Sequence, residues 1–106
     1  MHWYDYLSCF FAGAFLANAL PHLISGMSGR AFQSPFAKPP GKGLSSSTVN
    51  VLWGFFNLAV AYVLLLCVGS FSLHNVPQVL TLSAGFLLMS LMHARHFGRF
   101  HGGLLG

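Results

Sequence analysis

Three apolar segments constrain what this chain can fold into: residues 4–24, 49–68 and 76–97. As an α-helix rising about 1.5 Å per residue, each is long enough to cross a hydrocarbon core of about 30 Å. Only 6% of the 106 residues are charged, whereas an ordinary soluble domain has about 25%. We therefore predict an all-α integral membrane protein with three transmembrane helices. Residues 1–106 are expected to form a single membrane domain.

The first segment is expected to be a retained span. It lacks the basic start and the small-residue cleavage site that are typical of a secretory signal peptide. It reaches full length only if Pro21 lies inside the helix. A proline at this position frees the carbonyl one turn earlier, at Ala17, which a neighbouring side chain or water can satisfy.

The segment between the first two spans, residues 25–47, is rich in Gly, Ser and Pro. Such a spacing of helix breakers predicts a long loop with at most one helical turn, around residues 31–33. The loop also contains apolar side chains, including Phe32 and Phe36. These favour a partly ordered lid on the inner membrane surface over a disordered linker. The tail, residues 98–106, is expected to be frayed.

The positions of the basic residues predict the orientation of the chain. All five fall on one side of a three-span arrangement, either in the long loop or after the third span. They are Arg30, Lys38, Lys42, Arg95 and Arg99. The positive-inside rule then places the loop and the C-terminus in the cytoplasm, with the N-terminus and the turn at residues 69–78 outside. The expected location is the bacterial inner membrane.

Polar side chains are concentrated in the half of each span that faces the predicted cytoplasmic side. Two interpretations remain open. Amides, hydroxyls and small residues can serve helix packing alone, or they can line a ligand pocket closed by the loop, since polar groups at membrane depth are candidate functional sites. The candidate ligand-binding residues are Asn18, His22, Asn50, Asn57, Ser90, His93 and His96.

The stretch NALPHLISG, residues 18–26, ends the first span and predicts how the cluster is arranged. Asn18 and His22 share one helix face if the helix continues through Pro21. Counted from the inner ends of their helices, Asn18 and Asn57 differ in depth by roughly 3 Å. An unpaired amide in hydrocarbon costs several kcal/mol, so we expect these two amides to pair. His22 is expected to lie near His93 under the loop.

The histidines raise the question of a cofactor, which the sequence leaves unknown. Haem or quinone, held between His22 and His93 or His96, is one possible arrangement, because imidazole is a common metal and haem ligand. The sequence does not support a divalent-metal site, because no carboxylate or cysteine lies on that side. Acid–base catalysis is disfavoured, because Asp5 is the only carboxylate and is placed outside. We therefore favour a protein that is not an enzyme.

Membrane lipid is the first expected partner. Four basic residues are candidates for binding anionic lipid headgroups, namely Arg30, Lys42, Arg95 and Arg99. Nucleic acid is excluded as a partner, because the basic residues do not form a face that could follow phosphates. Three thin helices enclose little volume, so we expect a homo-oligomer or a subunit of a larger membrane complex.

These observations lead to one functional expectation and two alternatives. The expectation is a small non-enzymatic membrane protein, acting as an accessory subunit or as a binder of a small ligand or lipid. The first alternative is a redox subunit that binds haem or quinone through His22 and His93 or His96. The second alternative is a small oligomeric channel or transporter.

Overall fold

The computed structural model describes residues 2–68 and 70–104. It contains three long helices: α1 (Trp3–Met27), α2 (Ser47–Tyr62), which continues as a π-helix over Val63–Val68, and α3 (Val76–His101). Each of them, α2 together with its π-helical continuation, is long and apolar enough to cross a membrane. The predicted architecture of three apolar helices is confirmed. The predicted turn and tail include residues 69, 105 and 106, which lie outside the described residues.

Local sequence signals explain where the helices begin and end. Ser46 caps α2 by accepting a hydrogen bond from the backbone N–H of Val49, at 3.2 Å. Asn75 caps α3 in the same way. α3 continues to His101, four residues beyond the expected end of the span at residue 97, and ends where Gly102 adopts a φ of 78°.

α1 continues through Pro21 to Met27 without ending. The condition for Asn18 and His22 to share one helix face is therefore met. α1 also occupies the middle of the fold, because it packs along both α2 and α3, whereas within the described residues α2 and α3 hardly touch each other. This arrangement leaves a gap between α2 and α3 at the end of the bundle where the long loop lies.

Glycines bring the helices into close contact. A Cβ added at Gly13 would collide with the backbone of α3, and one added at Gly85 would collide with the backbone of α1. A Cβ at Gly54 of α2 would likewise meet the backbone of α1. Small residues of this kind allow close helix approach in membrane proteins. Gly54 of α2 therefore serves close helix packing.

The loop that connects α1 to α2 contains a short antiparallel ladder. Its strands are β1 (Phe32–Gln33) and β2 (Leu44–Ser45), with Phe32 opposite Ser45. The expected helical turn at residues 31–33 is therefore wrong, because these residues pair with the far end of their own loop. The expectation rested on breaker spacing, which does not reveal pairing across eleven or more residues.

Large polar side chains lie inside the bundle and large apolar side chains lie on its surface, the reverse of a soluble protein. The largest fully buried side chains include His22, Asn50 and Asn57. Large apolar side chains such as Leu52 and Phe55 of α2 are 66% and 64% exposed. Polar groups inside and apolar groups outside suit a hydrocarbon environment. The inversion and the three apolar helices together indicate a membrane location.

Candidate functional site

Asn50 connects α2 to both α1 and the loop. Its amide Nδ2 lies 3.0–3.2 Å from the carbonyl oxygens of Phe32, Ser45 and Ser46. Its Oδ1 lies 2.7 Å from Nδ1 of His22. Because a carbonyl oxygen only accepts, His22 donates from Nδ1. In the neutral imidazole, the Nε2 of His22 then carries the lone pair.

Asn18 and Asn57 form the amide pair that their matching depth predicts. Nδ2 of Asn18 donates to Oδ1 of Asn57 at 2.8 Å, and Nδ2 of Asn57 donates to the carbonyl of Trp53 at 2.8 Å. Asn57 is 0% exposed, so both bonds lie in the helix interface. The predicted pairing across the first two helices is confirmed.

Two histidines of α3 attach the loop to the helices. Nε2 of His96 donates to the carbonyl of Gly41 at 2.6 Å. Nε2 of His101 lies 2.9 Å from Oε1 of Gln33 and donates to it. The ring of His101 also stacks on Phe32, with centroids 5.2 Å apart. The loop is therefore held against the end of α3 by both hydrogen bonds and ring packing.

A cavity of about 350 Å³ lies between the three helices under this loop. We call it the polar cavity. It receives side chains from α1, the loop, α2 and α3, so it depends on the whole fold. Its lining consists of Asn18, His22, Gln33, Ser34, Pro35, Gly41, Trp53, Met89, Met92, His93, His96 and Phe97.

Two polar atoms of the cavity lining are buried and lack a hydrogen-bond partner in the part of the chain that the structure describes. They are Nε1 of Trp53 and Nε2 of His93. A buried polar group without a partner costs about 1–3 kcal/mol. The amides of Asn18, Asn50 and Asn57, in contrast, all have partners. Both atoms belong to residues that line the cavity.

Aromatic rings form much of the remaining wall. Phe97 lies 5.0 Å from the ring of His93 and 6.0 Å from the ring of His22, between centroids. It also packs on Phe32 of the loop, at 4.7 Å. A planar group entering the cavity would therefore meet ring faces and edges.

The structure brings together only part of the predicted site. Asn18, His22, His93 and His96 line the polar cavity, whereas the amides of Asn50 and Asn57 lie in the supporting hydrogen bonds described above. Ser90 is outside the cavity lining, and its hydroxyl donates to the carbonyl of its own helix one turn earlier. The four basic residues proposed to bind lipid headgroups are exposed and also lie outside it: Arg30, Lys42, Arg95 and Arg99.

Several cavity residues were not predicted. Trp53 lies four residues before Asn57 on α2, so the helix face that carries this amide could have indicated it. Phe97 follows His93 by four residues in the same way. Gln33 and Gly41 belong to the loop, where no periodicity relates sequence position to the side of the chain that faces the helices.

The histidines differ in what they could offer a cofactor. Within the described ranges, no group of three or more His, Cys, Asp or Glu side chains is arranged to hold a metal ion. His96 uses its Nε2 on the loop, so His22 and His93 are the better pair of candidate haem ligands. Phe97 contacts both of their rings and competes with a haem for the space beside them.

No protein-family model, curated protein or solved structure matches this chain. Its class therefore follows from the fold and the cavity. It is a small protein of three helices, each long and apolar enough to cross a membrane, with a polar cavity beneath an ordered loop.

Proposed function

We propose that the protein is a small, non-enzymatic integral membrane protein that binds a small molecule in the polar cavity. The observation that carries this proposal is the pair of buried, unpartnered atoms, Nε1 of Trp53 and Nε2 of His93. Native structures rarely leave such groups unsatisfied. A bound molecule with hydrogen-bonding atoms would satisfy both, and each hydrogen bond would be stronger at low local dielectric than in water.

The basic residues support an orientation for this binding protein. Arg30 follows α1, Lys42 lies in the loop, and Arg95 and Arg99 lie in the last turns of α3. All of them are therefore at the loop end of the bundle. By the positive-inside rule, this end lies in the cytoplasm of a bacterial cell and the N-terminus lies outside. The exposed basic side chains would contact anionic lipid headgroups.

The available side chains favour binding over catalysis. Asp5 is the only carboxylic side chain of the sequence. It accepts a hydrogen bond from the backbone N–H of His2, at 2.9 Å, at the start of α1. The polar cavity contains residues from the other end of that helix. An imidazole in the cavity therefore has no carboxylate to orient it as a general base.

Native mass spectrometry from a mild detergent tests the proposal. We expect the wild-type protein to retain a bound small molecule and the variants Trp53→Phe and His93→Phe to lose it. Trp3→Phe and His74→Phe are matched controls, because Trp3 and His74 are exposed and lie outside the cavity. Equal retention in all five proteins, or in none, would contradict the proposal. The same spectra test our proposal that the protein forms a homo-oligomer or joins a larger membrane complex.

One observation favours a redox subunit as the second candidate. His22 donates from Nδ1 to an amide oxygen of Asn50, which is the arrangement that orients ligand histidines and leaves Nε2 available. Haem would then be held by His22 and His93. A visible spectrum of the purified protein decides this. A Soret band that is lost in His22→Ala and kept in His74→Ala supports it, and a protein without that band contradicts it.

A further inference from the structure

An apolar groove continues from the polar cavity along the outside of the bundle. It lies between α1 and α3 and has a volume of about 470 Å³. Three of its lining residues also line the polar cavity, so the two spaces meet there. The shared residues are Asn18, Met89 and Met92, and the groove beyond them includes Phe11, Phe15 and Leu88.

We infer that the molecule bound by the polar cavity is an amphiphile with a neutral, planar, carbonyl-bearing head and a hydrocarbon tail, which is the chemistry of a quinone. The head occupies the polar cavity and the tail leaves along the groove between α1 and α3. This inference rests on the proposed binding function and specifies its ligand class.

The lining of the polar cavity determines the charge of the head. Among the described residues, its side chains include no Lys, Arg, Asp or Glu. A phosphate or ammonium head would lose its hydration without meeting an opposite charge, which is costly at membrane depth. A neutral head avoids this cost. The exposed basic residues lie outside the cavity and are not available to neutralise a phosphate there.

The two unpartnered atoms determine the hydrogen-bonding chemistry. The indole Nε1–H of Trp53 is a donor only, so the ligand atom beside it is an acceptor. Nε2 of His93 can donate as well, in one of the two neutral tautomers. Carbonyl oxygens accept from both. The ring of Phe97 contacts the rings of His22 and His93, and these rings suit a flat head group.

The shared residues explain how one molecule could occupy both spaces. Asn18 lies where the two spaces meet, and its amide is already paired with Asn57. Met89 and Met92 have long, flexible side chains that adapt to irregular apolar surfaces. Beyond them the groove has aromatic and aliphatic walls. A tail placed there leaves the head in contact with Trp53 and His93.

The first experiment tests the head group in lipid nanodiscs. The chain has two tryptophans, so Trp3→Phe leaves Trp53 as the only tryptophan, which can be excited selectively over the tyrosines. A 1,4-benzoquinone with a decyl tail is titrated into this protein. We expect saturable quenching of Trp53, with affinity weakened by about tenfold in His93→Phe and unchanged in His74→Phe. A decyl chain on a trimethylammonium head should not compete.

The second experiment locates the tail. A diazirine at the end of the decyl tail is photolysed and the labelled peptides are identified by mass spectrometry. We expect label on the groove walls at Phe11, Phe15 and Leu88, and its loss when an excess of the decyl quinone is added. Leu88→Phe narrows the groove and should lose this label. Leu87→Phe, in the neighbouring exposed position outside the groove lining, should keep it.

The tail, the head and the binding function are contradicted by different results. Label spread equally over the exposed face of α2, at Leu52 and Phe55, overturns the placement of the tail. Competition by the trimethylammonium compound overturns the neutral head. If quinone fails to quench Trp53 saturably while native mass spectra show a different bound molecule, the ligand class is wrong and the binding function stands. If the spectra show no bound molecule, the binding function itself fails.

Discussion

Removing the Asn57 amide should destabilise the interface between α1 and α2 by an amount that the contacts define. Asn57→Leu deletes the bond from Asn18, at 2.8 Å, and an interhelical hydrogen bond in a membrane is worth about 0.6–2 kcal/mol. It also leaves the Asn18 amide without its partner, at a cost of about 1–3 kcal/mol. We expect the free energy of unfolding to fall by about 2–5 kcal/mol.

A double-mutant cycle separates the pair from the general cost of each substitution. Asn18→Leu and Asn57→Leu remove the same bond, and the double variant leaves neither amide unpaired, so their combination should cost less than the sum by at least about 2 kcal/mol. Unfolding in mixed micelles with increasing SDS, followed by far-UV circular dichroism, measures all four proteins. Thr81→Val is the control partner, because its hydroxyl bonds only within α3. Additivity of the two Asn substitutions would refute the reasoning.

Three further predictions concern the loop, the helix contact and a residue outside the cavity. His96→Phe removes the bond to the loop carbonyl of Gly41, worth about 0.5–1.5 kcal/mol, so trypsin should cleave after Lys42 about 2–10 times faster. Gly85→Ala places a methyl group against the α1 backbone and should lower the free energy of unfolding by about 1–3 kcal/mol in the SDS assay. Ser90→Ala should leave the rate of trypsin cleavage unchanged and should change the free energy of unfolding by no more than about 0.5 kcal/mol, since its hydroxyl bonds within its own helix. A large effect of Ser90→Ala would contradict its placement outside the cavity. The absence of an effect in His96→Phe or Gly85→Ala would contradict the contact assigned to that residue.

The helices could be predicted because their signals are local. Apolar length defines the spans, and capping residues such as Asn75 mark where they begin. The depth of Asn18 and Asn57 along two antiparallel helices was also enough to predict their contact. Once the spans are known, the depth of a residue in the membrane follows from its sequence position alone. Residues at equal depth on two packed helices can then meet at their interface.

The loop could not be predicted in the same way. Residues 28–46 have no hydrophobic period, so the sequence does not indicate that Phe32 pairs with Ser45 or that Gln33 meets His101. Asn50 shows the same limit. Its place near the inner end of α2 was expected, but its three carbonyl partners belong to the loop and to the preceding turn, whose conformation follows from contacts distant in sequence.

The two interpretations of the polar cluster apply to different members of it. Asn18, Asn50 and Asn57 make hydrogen bonds between elements, and helix packing is a sufficient reason for them. Trp53 and His93 have buried polar atoms that packing leaves without partners in the described part of the chain. Substituting one of these amides should therefore lower the stability of the protein first. Substituting Trp53 or His93 removes an unsatisfied group, so a loss of bound ligand without a loss of stability is the signature expected of these two positions alone.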